Sequence, residues 1–228
     1  MQKKVNVVIF DFDGTLSAHD ANYEFGKYCF KHSLHAWLFL PITLFGMSFR
    51  HIAPNAAWWR QIGRRFINAK MVKRFAPDFI KQHKLNRFGW ALERVATERA
   101  AGNIVILISA SPNYLLKPLV RDMDFDDVIC SEMYAQYPWK YHFLCYNKNK
   151  VVALEKWAAK NKIVPNVVRA YSDSKSDMPI MSIAHEQVWI NRKTGGRIAK
   201  SKHRHLPVFF CSSPQSRARE SFRRVGDF

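Results

Sequence analysis

The stretch VNVVIFDFDGTLSAHD, residues 5–20, limits what this chain can fold into more than any other part of it. Val5–Phe10 is a short, largely β-branched apolar run closed by the Asp-Gly turn signal at 13–14. Such a run suits a strand buried on both faces of a parallel sheet. Yet Asp11 and Asp13 alternate with the aromatic residues Phe10 and Phe12. An ionised carboxylate in an apolar setting costs several kcal/mol, as an order of magnitude, unless something pairs it. Either the strand ends at the first Asp, or both acids face a cation.

Further runs of the same kind follow. Asn103–Ile108 (NIVILI) ends in Ser109, Val128–Cys130 is shorter, Val167–Tyr171 ends at Ser172-Asp173, and Gln187–Ile190 closes the series. Helical patterns lie between them at Glu93–Ala101, Tyr114–Arg121, Lys150–Asn161 and Met178–His185. Strands alternating with helices predict an α/β fold with a doubly wound, Rossmann-like parallel sheet, whose reactive groups gather at the carboxyl ends of the strands. Residues 21–95 break the rhythm with helical periodicity and many aromatics, as an inserted α-helical cap would. The expected core is therefore 1–20 with 96–200, followed by a basic tail, 201–228. Residues 131–147 alternate aromatic and polar residues around Tyr137-Pro138-Trp139-Lys140, which predicts a β-hairpin.

With 48% hydrophobic residues in 228, wholesale disorder is excluded. The net charge of +18 is concentrated: residues 21–100 carry +10 and residues 192–228 carry +8. That distribution implies a polyanionic partner, whether lipid headgroups, nucleic acid or a phosphorylated ligand. Cys29, Cys130, Cys145 and Cys211 are scattered with no CxxC pair, which points to a reducing compartment with neither a disulfide frame nor a zinc site. The charged N-terminus does not read as a signal peptide, so a cytoplasmic location is expected.

Leu34–Phe49 (LHAWLFLPITLFGMSF) is the one membrane-like piece, shorter than the roughly 20 residues a span needs. It reads either as a buried helical hairpin turning at Pro41 or as an interfacial element. For the latter, Lys27, Lys31, Arg50, Arg60, Arg64 and Arg65 flank it, and Trp37, Trp58 and Trp59 would sit at headgroup level.

Four strand ends offer related groups: Asp11 and Asp13, Ser109, then Asp173 and Asp177, with Lys150 opening a helix between. Carboxylates packed together repel, and a hard cation such as Mg2+ offsets that repulsion with oxygen ligands. Phosphoryl transfer needs a nucleophile, neutralisation of the phosphoryl oxygens and a proton for the leaving alcohol. Asp11 suits the nucleophile and Asp13 the general acid and base. Ser109 and Lys150 suit the phosphoryl oxygens, although Lys148 competes with Lys150. Asp173 completes a metal shell that Asp177, one helical turn on, orients. Asp20 either contacts the substrate or caps the first cap helix, and Asn113 lies within reach of phosphate.

DFDGT at 11–15, LISAS at 107–111, NKVVALEKW at 149–157 and YSDSKSDMPIM at 171–181 resemble, in order, the four motifs of the haloacid dehalogenase superfamily of phosphatases. The insert after the first motif resembles the cap of the phosphoserine-phosphatase-like subfamily, IB. Within it, DGTLSAHD, the apolar stretch 34–49 and AYSDSKSDMPIM followed by HEQVWINRKTGG resemble the phosphatidylglycerophosphatase C enzymes, apart from the long basic tail. The resemblance implies an aspartyl-phosphate on Asp11, acid–base work by Asp13, and a cap that closes over substrate. It also implies Mg2+ held by Asp11, Asp173 and the Asp13 main-chain carbonyl. The expected substrate is phosphatidylglycerol phosphate at an anionic membrane surface, with the protein peripheral on its inner face. A small soluble ester such as phosphoserine is the alternative. Nucleic-acid binding on a phosphatase scaffold is weaker, since the cap shows no nucleic-acid motif. No obligate protein partner is evident.

Overall fold

A strand without polar alternation needs cover on both faces. Lys3–Phe10 is that strand, β1, and its last four residues, Val7–Phe10, are buried. Val7 and Ile9 pack on one side with Ile106, Leu154 and Val167. Val8 and Phe10 pack on the other with Leu107, Leu115 and Tyr171. The computed structural model describes residues 3–48 and 61–198. Its helices are α1 (Ala21–His32), α2 (Leu34–Leu38), α3 (Leu40–Ser48), α4 (Ala69–His83), α5 (Ala91–Ala100), α6 (Asn113–Leu119), α7 (Lys148–Lys160) and α8 (Met178–Met181). The other strands are β2 (Ile104–Pro112), β3 (Asp127–Met133), β4 (Tyr141–Phe143), β5 (Ile163–Ser172) and β6 (Glu186–Trp189).

The six strands form one sheet in the order β4-β3-β2-β1-β5-β6. All neighbours are parallel except β3 and β4, whose antiparallel pairing makes the hairpin expected over 131–147. The chain builds outward from β1 to β2 and β3, then returns to the other side of β1 for β5 and β6. That reversal opens a crevice beyond the carboxyl ends of β1, β2 and β5. The sheet is the α/β architecture expected.

Boundaries differ from the sequence reading for local reasons. The helix expected over Met178–His185 ends at Met181, because the His185 N–H must reach the Val167 carbonyl (2.9 Å) as β6 begins. The expected 21–95 boundary falls inside α5, which packs on β2. Glu98 of α5 accepts the Tyr171 hydroxyl at 2.7 Å and pairs with Arg169. The chain thus rejoins the sheet layer near Phe88, whose N–H donates to the Leu16 carbonyl at 3.0 Å.

The insert packs α1 against α4, joined by Phe25, Phe75 and Phe79, with Cys29 beneath. Asp20 caps α1 by accepting the Tyr23 N–H, and Asn68 caps α4 by accepting the Met71 N–H. The apolar stretch is not a buried hairpin: α2 and α3 turn most of their side chains outward, with Leu34 87% and Leu38 78% exposed. Pro41 is the second residue of α3 rather than a turn, a place its fixed φ favours. No helix among the described residues is long and apolar enough to cross a membrane. Cys29, Cys130 and Cys145 are buried and unpaired. Phe49, Arg50, Trp58, Trp59, Arg60, Cys211 and the tail 201–228 lie outside the described residues.

His83 ends α4 beneath Ser17, with its ring stacked on Phe79 at 5.1 Å. Burial pushes its pKa down to about 4. Below pH 6.5 the unfolded chain binds a proton that the folded ring refuses until about 4, so stability falls as pH drops through that window. Urea unfolding at pH 7 and pH 5 is expected to show a loss of about 1 kcal/mol from this residue after allowance for solvent screening. His83→Gln should remove that part of the slope.

Candidate active site

The ladder between β1 and β5 runs one residue past Phe10: the Asp11 N–H donates to the Tyr171 carbonyl at 3.0 Å. The Phe12 carbonyl then accepts the N–H groups of Thr15, Leu16 and Ser17, which turns the chain away from the sheet. Gly14 sits in that turn at φ +79°, and a Cβ on it would occupy the Asp173 carboxylate. Only glycine fits.

Asp11 meets its cation here. Its Oδ1 accepts from Lys150 Nζ at 2.8 Å, and the same Nζ donates to Asp177 Oδ2 at 2.7 Å. Ser172 also donates to that Asp177 oxygen, at 2.8 Å. Lys150, the third residue of α7, is buried, whereas Lys148 is exposed. Asp177 is thus spent on orienting Lys150. Asp13 accepts the Ala21 N–H at 2.7 Å on Oδ1 and the Ser111 hydroxyl at 2.5 Å on Oδ2. Thr15 ties the strand ends together, its Oγ1 accepting the Asp173 N–H at 3.0 Å and donating to Asp173 Oδ1 at 3.3 Å.

Asp11, Asp13, Asp20, Lys150, Asp173 and Asp177 all line one cavity of about 810 Å3. Ser109 and Asn113 do not. The Ser109 oxygen accepts the Ser111 N–H at 3.2 Å and lies 3.5 Å from Asp13 Oδ2, beneath a floor made by Ala110. Asn113 begins α6 and its side chain accepts the following Tyr114 N–H. Asp20 both caps α1 and faces the cavity.

Burial lifts Asp11 well above the carboxylate range; Lys150 opposes this, and Asp177 and Asp13 add to it. Burial, then the charge of Asp20, raises Asp13 to about 7. Burial raises Asp173, with Arg192 opposing from 4.0 Å. Burial alone would lower the Lys150 ammonium, but Asp11 and Asp177 more than offset it and hold it above the lysine range. The site therefore holds more negative charge than its buried cation balances.

A divalent cation fits that deficit. No three His, Cys, Asp or Glu side chains form a metal-binding group by themselves among the described residues. Asp11 and Asp173 nevertheless face each other through Thr15, and Asp173 lies directly over the main chain at Gly14. Two carboxylates so placed make a hard oxygen donor set suited to Mg2+.

Residues 8–182 match the haloacid dehalogenase-like hydrolase family. The chain belongs to that family. This hydrolase is 28% identical over 133 residues to a probable phosphatase of Mycobacterium tuberculosis, a match covering 57% of the chain and 46% of that protein. It spans about half the length of the curated relatives it matches. In fold it resembles a protein of unknown function from Bordetella pertussis, with a TM-score of 0.69 and 16% identity over 84% of this chain and 91% of that one. It also resembles a substrate-bound phosphoserine phosphatase, with a TM-score of 0.60 and 15% identity over 82% and 86%. The hydrolase has the fold of the family's phosphatases. At its sheet edge stand Asp11, Asp13, Asp173 and Lys150.

Three side chains escaped the sequence reading of the site. Ser111 and Thr15 stand inside quoted motifs, so their position two residues from Ser109 and from Asp13 was the available signal. Arg64 counted only as flanking charge, yet it is buried and lines the cavity, donating to Tyr141 OH at 3.1 Å and Tyr114 OH at 2.7 Å. No local pattern marks it, because both partners lie in the sheet layer.

Removing the ammonium leaves two buried carboxylates facing each other. Lys150→Met is expected to lower stability by about 3–5 kcal/mol at pH 7. The loss should shrink at pH 5, where the uncompensated acids take up protons. Urea unfolding at the two pH values measures both.

Proposed function

We propose that this hydrolase is a Mg2+-dependent phosphomonoester phosphatase acting on a lipid, phosphatidylglycerol phosphate, at an anionic membrane surface. What carries the reading is the composition of the cavity. The same space that holds Asp11, Asp13 and Lys150 is walled on the cap side by Leu40, Leu44 and Met47. The outer side of that wall bears Ile42 and Phe45, 41% and 57% exposed, beside Leu34, Trp37 and Leu38 of α2. An amphiphilic phosphate ester suits such a cavity, with its phosphoryl group at the sheet edge and its chains along α3. Apolar side chains facing outward, in a cap segment carrying +10, support a peripheral position on the inner face of a membrane.

The chemistry follows from the residues in place. Asp11 attacks phosphorus to give an aspartyl-phosphate, while Asp13 gives its proton to the leaving alcohol and then takes one from the attacking water. A carboxyl raised to about 7 suits both steps near neutral pH. Lys150 holds Asp11 in position, and Asp177 holds Lys150. Asp11, Asp173 and the Asp13 main-chain carbonyl would hold Mg2+, which would supply charge neutralisation for the phosphoryl oxygens. Ser109 is the further candidate for those oxygens, and Asn113 for the substrate.

A small soluble ester such as phosphoserine is a second reading, favoured by Asp20 and Arg64, an acid and a base that line the cavity together. Nucleic acid is a weaker partner. Lys27 is paired with Glu24, Arg64 is buried on phenols and Arg65 lies over Trp139.

Phosphate release with Mg2+ from phosphatidylglycerol phosphate in mixed micelles, beside phosphoserine, separates the two ester readings. Release at least about 10-fold faster from the lipid is expected, with loss on chelation and about 10³-fold or more loss in Asp11→Asn. Preference for phosphoserine would transfer the assignment to the soluble ester. Sedimentation with anionic vesicles at low salt should fall in Leu38→Glu/Phe45→Glu, and failure of the wild-type protein to pellet would end the membrane assignment.

A further inference from the structure

Asp13 is gripped from two directions. The Ala21 N–H holds Oδ1 from the start of the cap, and the Ser111 hydroxyl holds Oδ2 from the end of β2. The backbone explains how Ser111 reaches it. Ser109 pairs with Cys130 but Pro112 pairs with Ser131, so three steps along β2 match one along β3. Such an irregularity re-aims side chains at a strand end. It is pinned from below, where the Ser131 hydroxyl donates to the Ala110 carbonyl at 2.7 Å. Ser111 is 2% exposed, and its oxygen faces Asp13.

A general acid that later acts as base must stay in place in both protonation states. In the first half-reaction an Asp11 oxygen attacks phosphorus and the phosphorus–ester oxygen bond breaks. The departing oxygen's electron pair takes the Asp13 proton. In the second, water attacks phosphorus, its proton passes to the Asp13 carboxylate, and the phosphorus–Asp11 oxygen bond breaks. With the transferable proton on the oxygen that faces the ester, the other carboxyl oxygen is a carbonyl that still accepts the Ser111 hydroxyl, so one donor serves both protonation states. We propose that Ser111 is a positioning residue for Asp13, holding the carboxyl group in one plane through both half-reactions. This rests on the phosphatase reading above. Ser109 also donates to that oxygen, but at 3.5 Å against 2.5 Å for Ser111, so Ser111 is the closer hold on it.

The test compares two esters that differ in their need for a proton. Glycerol 3-phosphate leaves as an alkoxide and requires one, whereas p-nitrophenyl phosphate leaves as a stable phenolate. The kcat/KM of each reports only the steps through aspartyl-phosphate formation. Ser111→Ala is expected to lose about 10- to 100-fold in kcat/KM on glycerol 3-phosphate and less than about 3-fold on p-nitrophenyl phosphate. Ser111→Thr, which keeps the hydroxyl, should recover most of the loss. Retained turnover of the aryl ester shows that the alanine variant is folded. Equal losses on both esters, no loss on either, or a threonine variant as poor as alanine would each overturn the proposal. Wild-type protein that releases phosphate from neither of these esters nor from phosphatidylglycerol phosphate would remove the phosphatase reading, and the proposal with it.

Discussion

The buried contact of Lys150 with Asp11 and Asp177 is the constraint around which the rest of the molecule is arranged. A carboxylate at the end of a fully buried strand is tolerable only beside a cation, and Lys150 is itself buried. Satisfying it commits three elements at once: the end of β1, the start of α7 and the short turn before α8. Asp177 and Ser172 then fix where the ammonium points. The arrangement leaves carboxylates over, with Asp11, Asp13 and Asp173 all lifted by burial. Under the proposed reading stability and reactivity share one cause, since the charge that is costly to bury is the charge that would hold a divalent ion.

Around that centre the two layers contribute differently. The sheet edge supplies charged groups held on rigid strand ends, where reach and angle vary little. The cap supplies an apolar wall and a buried guanidinium. The cap is not independent of the sheet layer: Arg64 bonds to Tyr114 of α6 and Tyr141 of β4, and the Gln61 side chain accepts the Tyr141 N–H at 3.4 Å. The first residue of α1 also holds Asp13, so the cap begins at a carboxylate of the cavity.

Much of this was legible in the linear sequence, for identifiable reasons. Strand ends announce themselves where apolar runs stop, and Asp11, Asp13, Asp173 and Asp177 stand at such stops. Buriedness is less local. Lys148 and Lys150 are near-equivalent in sequence, and only the packing of α7 against β5 turns the second inward. The 34–49 stretch reads in sequence as either a buried hairpin or an interfacial element, because composition reports apolarity and not which neighbours cover it. In the fold nothing among the described residues covers Leu34 or Leu38. Ser109, placed by its strand end, proves to lie under the floor while Ser111 reaches the acid, because an irregular register separates them.

The sequence alone determined the α/β class, the chain order of the strands and the residue types gathered at their carboxyl ends, since periodicity and turn signals act within a few residues. Only tertiary structure decided which of those residues touch. The Lys150–Asp11 pair spans 139 positions and the Ser111–Asp13 pair 98. Contacts over such distances depend on how sheet and helices close on one another, a matter of burial and register that no short stretch of sequence contains.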